Sequence, residues 1–442
     1  MKNEKTEDVQ TLKPETEVQE TVSAGSEQIS EAAVQEKETV RSALMSEEDV
    51  QGTMAAGSEQ IPETAVKKKV TSKSKPYNPK NGFEVLSRYR GAVMGISALL
   101  IWFFHEWNKI FNGALHVGTF DIETYIKSIG FCGVDIFFFL SGMGLTFAIA
   151  KGGVLDFYYR RIKRVYLPFL IVAIIRMLTE HWDMQGFWKN ILCVNFYTLS
   201  IYSFLWFVPA ILTLYLVFPL YYKIFNKAAN KELFTGAVFI LWLVYALYNR
   251  ETVRNDLYGF INRIPVFAFG VYAGWATKNK KVEFTKTTWF FIFVSFISGL
   301  YFAYLANFKA VEFIVPVSNC SIPNLLIGYS FPFVLSKGLD ILCTHGSTKT
   351  LGKVIAKVLG FFGLFSLEFY CVQEWLGGLI YKHFEYMTAD YKPHILNICN
   401  FGASLAAGFA LYLAVKYFWK LTDWIVEAIS KKIKARASVE VE

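Results

Sequence analysis

Residues Gly91 to Phe111 read Gly-Ala-Val-Met-Gly-Ile-Ser-Ala-Leu-Leu-Ile-Trp-Phe-Phe-His-Glu-Trp-Asn-Lys-Ile-Phe. A hydrocarbon core of about 30 Å takes about 20 helical residues to cross, and this run has that length. Similar runs recur to the end of the chain, about ten in all, near 91–111, 130–150, 165–179, 203–222, 233–249, 260–277, 288–308, 322–342, 357–381 and 395–418. The third is short, and 189–203 could be a further weak span. The runs are continuously apolar rather than alternating, which predicts helices and not a barrel. Over 442 residues the chain is 53% hydrophobic and 17% aromatic, with a mean hydropathy of +0.31, a poor match to a soluble globular protein. The expected fold is all-α: a polytopic membrane protein of about ten transmembrane helices behind a disordered cytoplasmic N-terminal tail.

That tail, residues 1–78, is rich in Glu, Lys, Thr, Ser, Gln and Val and has no aromatic before Tyr77. Such a segment cannot bury enough surface to offset the entropy of ordering. It carries a duplication, with Ala24-Gly25-Ser26-Glu27-Gln28-Ile29 recurring as Ala56-Gly57-Ser58-Glu59-Gln60-Ile61, and two copies are too few for a solenoid. A variable tail and a partner-docking tail both fit, and Lys67-Lys68-Lys69 could touch anionic lipid. One membrane domain is expected over 83–425, with a basic and polar cytoplasmic tail over 426–442.

Net charge is +8, and its placement is informative. With the N-terminus inside, the inner loops hold Lys151, Arg160, Arg161, Lys163 and Arg164, then Lys223, Lys227 and Lys231, then Lys278, Lys280, Lys281 and Lys286. The outer loops hold fewer, so both termini are expected in the cytoplasm of a plasma membrane. No cleavable signal peptide is recognisable, and the first span is expected to direct insertion. The six cysteines are scattered without a CxxC pair, which speaks against a disulfide framework or a metal site. No inter-span loop exceeds about 25 residues, so chemistry has to come from residues in or at the ends of helices. No nucleic-acid partner is implied, and the oligomeric state is not legible.

Three features could carry that chemistry. His105 followed by Glu106 at the edge of a span is costly and able to move protons near neutral pH, although an interfacial belt with Trp107 and Asn108 would look the same. In Gly133-Val134-Asp135-Ile136-Phe137-Phe138-Phe139-Leu140-Ser141-Gly142-Met143-Gly144, Asp135 needs a partner or the interface, and the glycines allow close helix approach. Plain helix packing also explains it. Finally, Arg160-Arg161-Ile162-Lys163-Arg164, leading to Pro168, suits anionic lipid or a phosphate-bearing cytoplasmic ligand, and positive-inside topology alone often produces such a cluster.

In order and wording these features resemble the integral-membrane acyltransferase family 3, which includes bacterial O-acetyltransferases of cell-surface polysaccharides. The carriers are His105, the segment Phe138-Phe139-Leu140-Ser141-Gly142 and the loop Arg160-Arg161-x-x-Arg164. Weaker matches are Trp206-Phe207-Val208-Pro209 with Tyr215 and Pro219, Arg263-Ile264-Pro265-Val266-Phe267 with Gly270 and Gly274, and Ser366-Leu367-Glu368-Phe369-Tyr370. Two departures stand out. Met94 occupies a position where the family commonly has an arginine, with Arg90 further upstream, and Gln373, followed by Glu374, stands where it often has a histidine.

The resemblance implies transfer of an acyl group from a cytoplasmic acyl-CoA donor, usually acetyl-CoA, to a hydroxyl of a cell-surface glycan or lipid-linked saccharide. A sugar hydroxyl needs a base before it attacks, which makes His105 the expected general base. Glu374 or Glu106 could orient it, Glu374 with the freer geometry because an adjacent helical residue points about 100° away. Arg160, Arg161 and Arg164, with Arg90, are expected to hold the CoA phosphates. Asp135, Ser141, Trp206 and Arg263 are expected along the acceptor path or in its support. A transporter or flippase of a lipid-linked glycan or other anion is the alternative, using the same intramembrane polar residues, but the two halves show no internal repeat. A purely structural or sensory membrane protein is a third.

Overall fold

A computed structural model of the chain describes residues 80–106, 110–111, 114–118, 120–198, 203–248, 256–279, 283–309, 311, 321–384 and 393–439. The tail expected over 1–78 lies outside the described residues. Helix α1 spans Gly82–His105, and its first turn is capped by the Asn81 side chain, which accepts from the amides of Phe83 and Glu84. Strands β1 (His116–Val117) and β2 (Phe120–Asp121) form a minimal antiparallel ladder. Then come α2 (Ile122–Ile129), α3 (Cys132–Ile149), α4 (Val154–Glu180), α5 (Met184–Ile191), α6 (Val194–Tyr197), α7 (Phe207–Lys227), α8 (Lys231–Tyr248) and α9 (Asp256–Ile261). The chain continues through α10 (Ile264–Asn279), α11 (Lys286–Phe308), α12 (Ser321–Thr344), α13 (Lys349–Leu364), α14 (Ser366–Phe384) and α15 (Pro393–Val439).

The fold is all-α, and its apolar helices mark a membrane protein. Among the described residues, six helices are long and apolar enough to cross a bilayer, and α13 with α14, bent by 70° at their junction, makes a seventh if counted as one span. The expected count of about ten spans is therefore not confirmed. Helix α1 stops at His105, short of the apolar run, α4 begins with its arginines, and α10 has 16 residues. Among the described residues, the further weak span at 189–203 is not one continuous helix. Residues there lie in α5 and α6, of 8 and 4 residues, and Cys193 between them adopts a left-handed φ of 60° that breaks the helix. Helix α15 runs through 426–439 without a break at 425.

Helix α3 occupies the middle: 83% of the apolar window of Ile122–Ile149 is inside the protein, against 11% for α8 and 17% for α11, which are therefore peripheral. Helix α1 lies beside it and also packs against α12, α13 and α14. Gly133 of α3 rests on Ser97 and Ile101, while Gly144 rests on the Arg90 guanidinium, so α1 and α3 run antiparallel. The α3/α10 crossing depends on a reciprocal pair. Gly142 touches the carbonyl of Phe267, and Gly270 touches the carbonyl of Phe139. Backbone on both sides cannot yield to a side chain. Gly270→Val is expected to cost about 1–3 kcal/mol, read as a lowered unfolding midpoint of the purified protein in detergent; an unchanged midpoint would refute the close crossing.

Candidate active site

Polar side chains inside a membrane domain are expensive and cluster where something is done with them. Two of the groups they form here lie at opposite ends of α1. Arg90 and His105 are fifteen residues apart on that helix, about 22 Å along its axis.

The first group is basic. Helix α4 presents Arg161 and Arg164 toward Tyr215 of α7; Arg161 hydrogen-bonds the Tyr215 hydroxyl, and Arg164 and Arg90 lie within electrostatic range of it. Arg164 also reaches α14. Its Nη1 donates to Glu368 Oε1, and its Nη2 donates to Glu368 Oε2 at 3.4 Å and to the Leu364 carbonyl at 3.2 Å. Glu368 is fully buried, whereas the Arg164 side chain keeps 40% exposure. The guanidinium therefore neutralises a buried carboxylate while the side chain as a whole keeps part of its surface exposed. Arg160 points elsewhere, to Asp156 and to the Ala148 carbonyl at 3.2 Å. Of the four arginines expected to act together, Arg90, Arg161 and Arg164 converge and Arg160 does not. The Nε of Arg161 is buried without a hydrogen-bond partner among the described residues.

The second group surrounds His105 at the last turn of α1. Its ring Nδ1 lies 3.1 Å from Nε2 of Gln373 on α14. Glu374, the next residue, is exposed and acts on the ring as a nearby negative charge. Glu106 faces the other way, as an adjacent residue must. Its carboxylate accepts from Asn400 Nδ2 at 2.5 Å and from the Tyr381 hydroxyl at 3.4 Å, and Ser404 Oγ donates to Asn400 Oδ1 at 3.1 Å. Lys127 Nζ donates to the Glu106 carbonyl at 3.0 Å. Glu106 thus fastens the end of α1 to α15, and the group hydrogen-bonded to His105 is Gln373.

Behind this lies an ion pair, Arg263 to Asp135 at 3.4 Å, both side chains 4% exposed. The guanidinium carbon sits 4.5 Å from the Phe131 ring centre and 5.2 Å from that of Trp206. Phe131 in turn packs against Phe104, next to His105, with ring centres 5.2 Å apart. Asp135, Trp206 and Arg263 are therefore brought together, with the Phe131 and Phe104 rings between Arg263 and His105. Ser141 sits half-buried two turns along α3, beside the Gly142 contact. Met94 packs into the apolar core, so the first helix offers Arg90, one turn lower, as its cation.

Asn400 and Ser404 were not singled out from sequence. The signal was there: Asn397, Asn400 and Ser404 recur at helical spacing inside an apolar run, and all three are buried. Among the described residues no group of three or more His, Cys, Asp or Glu could hold a metal ion.

A family model described as an acyltransferase domain, of the third acyltransferase family, matches residues 93–417. No curated protein and no solved structure matches the chain.

Removing one member of a buried pair leaves the other charge uncompensated. Arg164→Met is expected to cost about 2–3 kcal/mol, below the full-burial range because Arg164 is partly exposed. Arg164→Met combined with Glu368→Leu should recover much of that loss in a double-mutant cycle of detergent unfolding. Additive losses would show that the pair contributes nothing.

Proposed function

Because the chain belongs to the integral-membrane acyltransferase family 3, through a match over residues 93–417, we propose that it transfers an acetyl group from acetyl-CoA to a hydroxyl of a cell-surface glycan or lipid-linked saccharide. The observation that carries this reading is the separation of the two polar groups along α1: a converged arginine cluster at one end and a histidine with a hydrogen-bonded partner at the other. Phosphates need fixed cations, and Arg161 and Arg90 supply them, with Arg164 held beside them by Glu368. A hydroxyl needs a base, and His105 supplies it.

In this reading His105 takes the proton of the acceptor hydroxyl as its oxygen attacks the thioester carbon. The carbon–sulfur bond then breaks, and the imidazolium returns the proton to the departing CoA thiolate, so that the ring ends as it began. Trp206, half-buried beside the Arg263–Asp135 pair, offers an aromatic face suited to a sugar ring. The distribution of Lys and Arg supports cytoplasmic termini in a plasma membrane, with the donor entering at the arginine end and residues 83–425 as the catalytic membrane domain.

His105→Ala is expected to reduce transfer of label from acetyl-CoA to envelope glycan by about 10²–10⁴-fold while membrane insertion stays normal. Full transfer by that variant would sink the assignment. Arg161→Met should raise KM for acetyl-CoA about tenfold, equivalent to one charge-assisted contact, with kcat little changed; an unaltered KM in initial-rate assays would remove Arg161 from the donor site. A transporter would neither consume acetyl-CoA nor release CoA in the same membranes.

A further inference from the structure

Gln373 is 2% exposed, and one end of its carboxamide lies 3.1 Å from His105 Nδ1. The other end, Oε1, has no hydrogen-bond partner among the described residues. The two ends of a carboxamide have nearly the same shape, so hydrogen bonding decides which faces the ring. If the amide N–H donates to Nδ1, the ring proton sits on Nε2 and that nitrogen cannot accept another. With Oε1 turned to the ring, it accepts Nδ1–H and leaves the Nε2 lone pair open. Either way one end of the amide stays without a protein partner, so satisfaction alone does not choose, and the chemistry does.

The other charged groups near the ring do not take this role. Glu106 on α1 spends its carboxylate on Asn400 and Tyr381, and Lys127 from α2 is bound to the Glu106 carbonyl. Arg263, just before α10, lies behind Phe131. Glu374 on α14 is exposed and contributes charge.

Taking His105 as the base, as proposed above, we infer that Gln373 is a positioning residue for the transfer: its Oε1 accepts Nδ1–H of His105, holds the ring in the Nδ1-protonated tautomer and presents Nε2 to the acceptor hydroxyl. A neutral amide cannot take the proton itself. The imidazolium formed during attack therefore keeps both protons until the thiolate leaves, and the charge that steadies it comes from Glu374.

Two measurements test this on the full-length protein in lipid vesicles. In solid-state ¹⁵N NMR with labelled histidine, His105 signals identified by subtracting the His105→Asn spectrum should show the proton on Nδ1; a proton on Nε2 overturns the inference without touching the acyltransferase reading. In assays with labelled acetyl-CoA and envelope glycan, Gln373→Met should lower kcat at least about tenfold with KM for acetyl-CoA unchanged. Gln373→Glu, which keeps an acceptor at the same place, should retain most of the rate. It should also move the acid limb of the pH profile to higher pH, because a carboxylate beside the ring stabilises the imidazolium. Wild-type kcat in Gln373→Met beside an inactive His105→Ala would end the positioning role and leave the base in place. Activity in His105→Ala would end the base assignment instead. Should Gln373→Met fail to fold, the wild-type tautomer and the Gln373→Glu profile still decide.

Discussion

The break between α13 and α14 is the constraint on which the interior turns. A helix that bends by 70° inside an apolar domain frees backbone carbonyls, which no lipid can satisfy. Arg164 answers this need by donating to the Leu364 carbonyl and at the same time to Glu368, one turn into α14. One guanidinium therefore fixes the angle at which α14 leaves the break. Five residues beyond Glu368, the same helix carries Gln373 to His105. The contacts of Arg164 and of His105 are therefore made by the same helix, α14.

Much of the membrane architecture could be read from the chain because it depends on composition, and length alone tells a spanning run from a loop. Each of the ten apolar runs overlaps at least one helix among the described residues. What length could not give was which helices meet the full requirement of a span, since α4 mixes arginines with its apolar residues and α1 ends at His105. The short helices α5 and α6 were harder still, because an apolar run interrupted by one left-handed residue, Cys193, looks continuous in one dimension.

The site was legible in its residue types and only partly in its connections. His105 and Asp135 stood out because each is costly where it lies, the arginines of α4 as a run of cations, and Arg263 and Trp206 only through the family resemblance. Partnership is not: Arg160 and Arg161 are neighbours in the chain yet point to different ends of the local structure, one to Asp156 and one to Tyr215. Likewise Glu106 reads as a companion of His105, but side chains one step apart on a helix diverge, and its carboxylate belongs to α15. Gln373 looked like a gap in a pattern, and its position 3.1 Å from the ring makes it the neighbour that matters.

Helix α15 has 47 residues, about 70 Å at full length, more than twice the hydrocarbon layer. Its Trp419 indole donates to the Lys163 carbonyl at 3.1 Å, and Asp423 pairs with Lys163 at 2.9 Å, both on the turn of α4 that carries the arginines. From Pro393 to Asp423 the rise is about 45 Å, close to the thickness of a bilayer with its headgroups. The helix is thus long enough to cross a bilayer with its headgroups, and its Asp423 end is fastened to the basic turn. Trp419 and Asp423 both hold Lys163, so the basic turn of α4 and this part of α15 cannot separate without losing both contacts at once.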